Sequence, residues 1–187
     1  MKCPSCLEPL TQAPAECPRC GLTLQRLDEK FGAIPRQSPF LTDQTGRLGS
    51  TADRVRKHLR SFHGSFPQCF FSVLLTSGVA DSISEYTFWL ANRGRFGKLE
   101  AVGSANFDLL LGIDVGRKTA ALVVGYGLEA YLSERDLERA LAGASAAFWA
   151  GDYASGIFLC VDLVSERMKT IVKELEQKPA VSAEDVK

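Results

Sequence analysis

The chain has no excess of charge of either sign: among 187 residues, lysine and arginine total 22, as do aspartate and glutamate. No global field therefore draws it to nucleic acid or to an anionic lipid surface, and such a contact would need a local patch. No segment approaches the roughly 18 uninterrupted apolar residues of a membrane-crossing helix. Met1-Lys2-Cys3-Pro4 also starts without the charged and apolar regions of a secretory signal. The expectation is a cytoplasmic protein with no transmembrane segment. Histidine is scarce, with only His58 and His63. His58 lies one helical turn from Val55 and Phe62, at the edge of an expected core. Neither histidine accompanies a nucleophile elbow or a recognisable triad partner, so nothing points to acyl transfer. A cysteine-arginine phosphate loop, an aspartyl-phosphate signature and a full dinucleotide-binding glycine pattern are also missing.

Cysteine is concentrated instead. Four of the six cysteines fall in the first twenty residues, as Cys3-Pro4-Ser5-Cys6 and Cys17-Pro18-Arg19-Cys20-Gly21. A two-residue gap lets both sulfurs of one turn reach a single ion, and two such turns supply the four-sulfur tetrahedron that zinc favours. The alternatives are paired disulfides, which suit secreted proteins, or redox motifs, which open a helix after a strand. Here Pro4 and Pro18 fill turn positions, and four thiolates leave no open coordination position for catalysis. Cys3, Cys6, Cys17 and Cys20 are therefore read as ligands of a structural Zn2+. The segment resembles the zinc ribbon family, some of whose members bind nucleic acid and others partner proteins. The thiolate charge weighs against a phosphate-binding face. Cys69 and Cys160 stand alone in apolar surroundings and read as core residues.

Residues 1–21 form this ribbon, and 22–39, with scattered Pro35, Pro39 and Gly32, read as a linker. A main α/β domain spans 40–178, followed by a disordered tail at 179–187. Ala52, Val55, Leu59 and Phe62 recur at helical spacing until Gly64 and Pro67. Arg54, Arg56, Lys57 and Arg60 on this helix read as a solvated face. Cys69 to Leu75 is an apolar run suited to a strand covered on both faces. Ser82-Ile83-Ser84-Glu85 is a capping-box pattern that opens the next helix. The glycine-rich, basic Asn92 to Ala105 is expected to be a loop. Phe107 to Ile113 and Thr119 to Val124 flank a polar turn and read as the central hairpin of the sheet. Ser133, Asp136, Gly151 and Asp152 bound two further helices.

The Val124-Gly125-Tyr126-Gly127-Leu128-Glu129 corner after the hairpin and Gly151-Asp152-Tyr153 at a helix junction closely resemble the TPM domain family. Asp43, Gly46 and Leu48 and the Ser82-to-Tyr86 helix start extend the resemblance to about residues 40–175. The family includes a thylakoid-lumen protein described as an acid phosphatase, photosystem repair proteins, an acetylcholine-receptor modulator and many bacterial proteins. It implies a three-layer α/β/α sandwich with a mixed, Rossmann-like central sheet, and divalent cation binding is reported within it.

Two rims follow from this topology. The parallel strands end near Ser77, Asp81 and Asp114, where open α/β sheets usually bind ligands. The antiparallel return brings Asn106, Asp108, Gly125, Tyr126, Gly127 and Glu129 to the opposite rim. Asp108 and Glu129 there could offer oxygen ligands to Ca2+ or Mg2+, or hold a phosphate, with Asp43 or Asp152 joining if their loops fold over. The plainer reading makes Asp152 a helix cap, the glycines a turn with positive φ, and Asp108 a solvated strand end. The expected function is a non-catalytic module that binds a protein partner. The alternative is a divalent-metal-dependent phosphatase acting on phosphomonoesters, and nucleic-acid binding through the ribbon is a weaker third.

Overall fold

A computed structural model describes residues 2–10, 14–79, 82–94 and 107–177. Most of the basic loop, Asp81, Asn106 and the tail lie outside this set. The element order is α1 (Leu24–Phe31), β1 (Leu41–Asp43), α2 (Ala52–Ser65), β2 (Phe70–Thr76) and α3 (Ile83–Arg93). Then come β3 (Asp108–Asp114), β4 (Thr119–Val124), α4 (Tyr126–Glu129), α5 (Glu134–Ala150) and α6 (Tyr153–Glu176). The four strands form one sheet in the order β1-β2-β3-β4. β1, β2 and β3 are parallel, with Leu41 beside Val73 and Phe71 beside Leu109, and β4 returns antiparallel with Leu111 beside Leu122. The sheet is mixed, as expected, but the β3–β4 hairpin is not at its centre. The residues before β2 supply β1, so β2 and β3 are central and β4 is an edge.

Helices cover both faces of this sheet. Phe71, Val73 and Leu75 of β2 share one core with Val55, Leu59 and Phe62 of α2 and with the apolar faces of α5 and α6. Leu74 and Leu110 point the other way, against Trp89 and Leu90 of α3 and Leu27 of α1. Alternate residues of one strand thus enter different cores, which is why β2 is apolar along its whole length. Gly112 marks the tightest contact in the second layer. A Cβ built there would lie 2.0 Å from Thr87 Oγ1, so only glycine lets α3 approach β3 this closely.

The helix starts follow their local chemistry. Ser82 accepts a hydrogen bond from Glu85 N at 3.4 Å, but the Glu85 carboxylate of the expected capping box is taken by Lys30 Nζ of α1 at 2.7 Å. The full reciprocal box forms at α5 instead, between Ser133 and Asp136. The segment read as a linker contains α1, whose amphipathic face was too short to register as a sustained period. Trp89 Nε1 donates to Asp28 Oδ1 at 2.8 Å, and Arg93 donates to both carboxylate oxygens at 3.0 and 2.7 Å. Those bonds and Leu27, 1% exposed, fix α1 on α3.

Candidate metal centre and the two rims of the sheet

Each cysteine pair sits in the same small turn. Cys3 N donates to Glu8 O and Leu7 N to Cys3 O at 2.9 and 3.0 Å; Cys17 N donates to Leu22 O and Gly21 N to Cys17 O, both at 2.9 Å. The repeat extends to the backbone: Leu7 has φ 61° where the second turn has Gly21 at 69°. Glycine adopts this left-handed conformation without the steric cost that leucine carries. The turns face each other with Cys3 and Cys20 sulfurs 3.7 Å apart and Cys6 and Cys17 sulfurs 3.7 Å apart. All four sulfurs lie within 4.8 Å of one another.

The two 3.7 Å pairs match the edge of a tetrahedral four-sulfur site. Zinc–sulfur bonds of about 2.3 Å set sulfurs about 3.8 Å apart along a tetrahedral edge. All six cysteines are free thiols, so the two C-x-x-C pairs are not joined as disulfides. The amide of Cys20, and then that of Arg19 against the opposing effect of burial, hold the Cys17 thiol down to about 7. Burial chiefly pushes the Cys3 thiol up. An ion held here must displace protons from such thiols, so binding is favoured as pH rises. The cluster can hold a metal ion.

The ribbon rests on the main domain. Lys2 forms an ion pair with Glu134 at the start of α5. A cavity of about 190 Å³ separates Cys3, Pro4 and Cys17 on the ribbon side from Phe88 of α3 and Tyr126 of α4. α1, which follows the ribbon directly, is itself fixed on α3.

The acidic residues divide between the two ends of the strands. Asp108 pairs with Phe70 at one end of β2, and Asp43 pairs with Leu75 near the other. Five residues of strand separate them, about 16 Å at about 3.3 Å per residue. Asp43 Oδ1 accepts from Thr45 N, Thr45 Oγ1 and Gly46 N at 2.7–2.9 Å, and Oδ2 accepts from Leu48 N at 3.0 Å. Burial pushes its carboxyl up, but these donors outweigh that effect and hold it below the usual carboxylate range. Asp152 accepts from Ser155 N at 3.1 Å as the α6 cap. It lies on Asp43's side of the sheet, since Tyr153 Oη donates to Val115 O beyond the end of β3. Neither Asp43 nor Asp152 folds over to join Asp108.

On the opposite rim, Gly125 N donates to Asp108 O at 2.8 Å and ties the end of β4 to the start of β3. Asp108 and Gly125 meet there, and α4, which carries Tyr126, Gly127 and Glu129, begins at the next residue. The corner is nevertheless a helix start and not a left-handed turn: Gly125 has φ −69°, and Gly127 is absent from the glycines with positive φ. Tyr126 is 43% exposed, and burial of the rest of the ring, then Glu129, raises its hydroxyl pKa. The histidines take structural positions: His63 Nδ1 lies 2.9 Å from Cys69 O, and His58 Nε2 lies 2.9 Å from Asp162 Oδ1.

Asp114, like Asp43, accepts four hydrogen bonds. It is fully buried; Oδ1 accepts from the amides of Gly78, Gly116 and Arg117 at 2.9–3.2 Å, and Oδ2 accepts from Val79 N at 2.9 Å. This carboxylate joins the β2 exit to the hairpin turn. An aspartate ending an apolar strand before Val-Gly-Arg-Lys signals the turn bonds, but the two amides from the β2 exit come from a segment distant in sequence.

No protein-family model and no curated protein matches the chain. Among solved structures it is similar to the solution NMR structure of the N-terminal domain of a protein from P. gingivalis. That alignment has 22% identity, covers 72% of this chain and 84% of that one, and has a TM-score of 0.55. It is also similar to the N-terminal domain of the cg2496 protein from Corynebacterium glutamicum, with 14% identity, coverage of 72% and 83%, and a TM-score of 0.53. At these identities the likeness is one of fold: a mixed α/β domain, here with a ribbon-like four-cysteine cluster at its N-terminal end.

Proposed function

We propose that the chain is a TPM-like α/β domain with a structural zinc ribbon, acting as a non-catalytic module that recognises a protein partner. The observation that supports this best is the engagement of its carboxylates. Asp43, Asp114 and Asp152 each use their oxygens to hold a loop, a hairpin or a helix start. They lie away from Asp108 and Glu129, so these acids do not converge on one reacting position. Meanwhile the four cysteines form a centre suited to holding structure, with every zinc position filled by sulfur.

The second reading, a Ca2+- or Mg2+-dependent phosphatase, is favoured only by the placement of Asp108 and Glu129 on the rim of the Gly125 corner. A metal there would hold the phosphate and polarise its oxygen, while an acidic side chain oriented water. One preparation tests both readings. Metal analysis should give about one zinc per chain, and a generic phosphomonoester should be hydrolysed no faster by the wild type with magnesium than by Asp108→Ala or Glu129→Ala. Magnesium-dependent turnover lost in both variants would establish the enzyme instead, and a chain purified without zinc from zinc-replete medium would remove the ribbon assignment. Failure of the intact, zinc-loaded protein to retain any partner would count against the interaction reading.

A further inference from the structure

The ribbon is not a free appendage. Its Lys2 pairs with Glu134 at the start of α5, and its Cys3 and Cys17 turns face Phe88 and Tyr126 across a cavity of about 190 Å³. Both cysteines are themselves buried, at 0% and 5% exposure. The residues that place the sulfurs are thus the residues that build the ribbon's side of this seat. A segment of this length buries too little apolar surface to keep its turns without an ion. By contrast, α1 has its own anchors on α3, through Asp28, Lys30 and Leu27. Loss of the ion therefore loosens the ribbon up to about Leu22 but leaves the chain tethered at Leu24.

We infer that the metal-loaded ribbon is a cap on the Phe88–Tyr126 face, and that metal occupancy controls access to it. This rests on the metal reading of the four cysteines. With the ion bound, the two turns face one side of α3 and the start of α4 across that cavity and cover them in part. Without it, an apolar surface beside the Gly125 corner opens while the α/β core stays folded. The ribbon thereby regulates the rim that carries the corner, in addition to stabilising itself.

Hydroxyl-radical footprinting of the full chain, read by mass spectrometry, tests this. Zinc-loaded protein would be compared with protein stripped by chelator under reducing conditions, and then with zinc restored. Phe88 should label several-fold more after stripping and return to baseline with zinc, Tyr126, already 43% exposed, should rise less, and the core residues Phe71 and Trp89 should stay protected. Lys2→Glu keeps all four thiols and reverses the charge facing Glu134, so it should raise Tyr126 labelling at unchanged zinc content. Unchanged labelling of Phe88 and Tyr126 after verified zinc removal would overturn the cap. A chain that never takes up zinc would overturn the metal reading first, and zinc analysis of each sample separates the two failures.

Discussion

Asp114 shows how much one side chain can organise. Its carboxylate accepts four backbone N–H groups, two from the exit of β2 and two from the hairpin turn, with no exposure to solvent. Truncation leaves the buried Val79 N–H without its partner, while Gly78, Gly116 and Arg117 are exposed residues whose amides can turn to water; a buried unsatisfied donor typically costs about 1–3 kcal/mol. Asp114→Ala should therefore lower unfolding stability by about 1–3 kcal/mol, seen as a lower urea midpoint with an unchanged slope. A midpoint within error of wild type would mean that water or other groups replace the carboxylate. Leu7 is the counterpart at the surface. It is 65% exposed with φ 61°, in the position that Gly21 fills in the other cysteine turn. The ribbon thus retains an unfavourable backbone conformation at an exposed leucine, and nothing in its surroundings explains that choice.

At the level of elements, the α1–α3 pair depends on pH through its charges. Arg93 first, and Trp89 second, hold the Asp28 carboxyl below the usual carboxylate range. Asp43, Asp136 and Asp152 are also held low against the opposing effect of burial, by hydrogen bonds from their own loop or cap and, for Asp136, by Arg167 of α6 as well. Folded values below unfolded ones mean that this stabilisation is fully present above the unfolded carboxylate range, near about 4. It is lost as pH falls through the lower folded values. Thermal midpoints should hold steady on the neutral side and fall on acidification below that range. Asp28→Asn should lower the neutral midpoint and shrink the drop between neutral and acid pH, because its share of the proton linkage is gone. An identical drop in the variant would show that Asp28 contributes nothing to the acid limb.

The whole molecule divides by what holds each part. The α/β domain has one large core on the α2–α5–α6 side of the sheet and a smaller one beneath α3 and α1. The ribbon has two turns and four sulfurs. Chelation should therefore leave the main cooperative thermal transition and the helical circular dichroism close to those of the loaded protein, while amides of residues 3–8 and 17–22 lose hydrogen-exchange protection. Collapse of the whole transition on chelation would mean that the main domain, too, depends on the ion. No described helix is long and apolar enough to cross a membrane.

Local chemistry was readable from the chain itself. Cysteine spacing located the four-sulfur cluster because the geometry of each pair is set within a four-residue turn. Helical spacing located α2, and strand patterning located β2, β3 and β4, because burial imposes those periods. β1 escaped notice because three residues carry no period, and α1 because its packing surface lies on α3, remote in sequence. Only the tertiary structure decided which carboxylates share a rim. Strand order and direction, set by pairing between distant segments, put Asp43 and Asp152 on one side of the sheet and Asp108 and Glu129 on the other. The same long-range packing put β4 at the edge of the sheet and set the ribbon beside Phe88 and Tyr126. Those are relations between segments that no local pattern encodes.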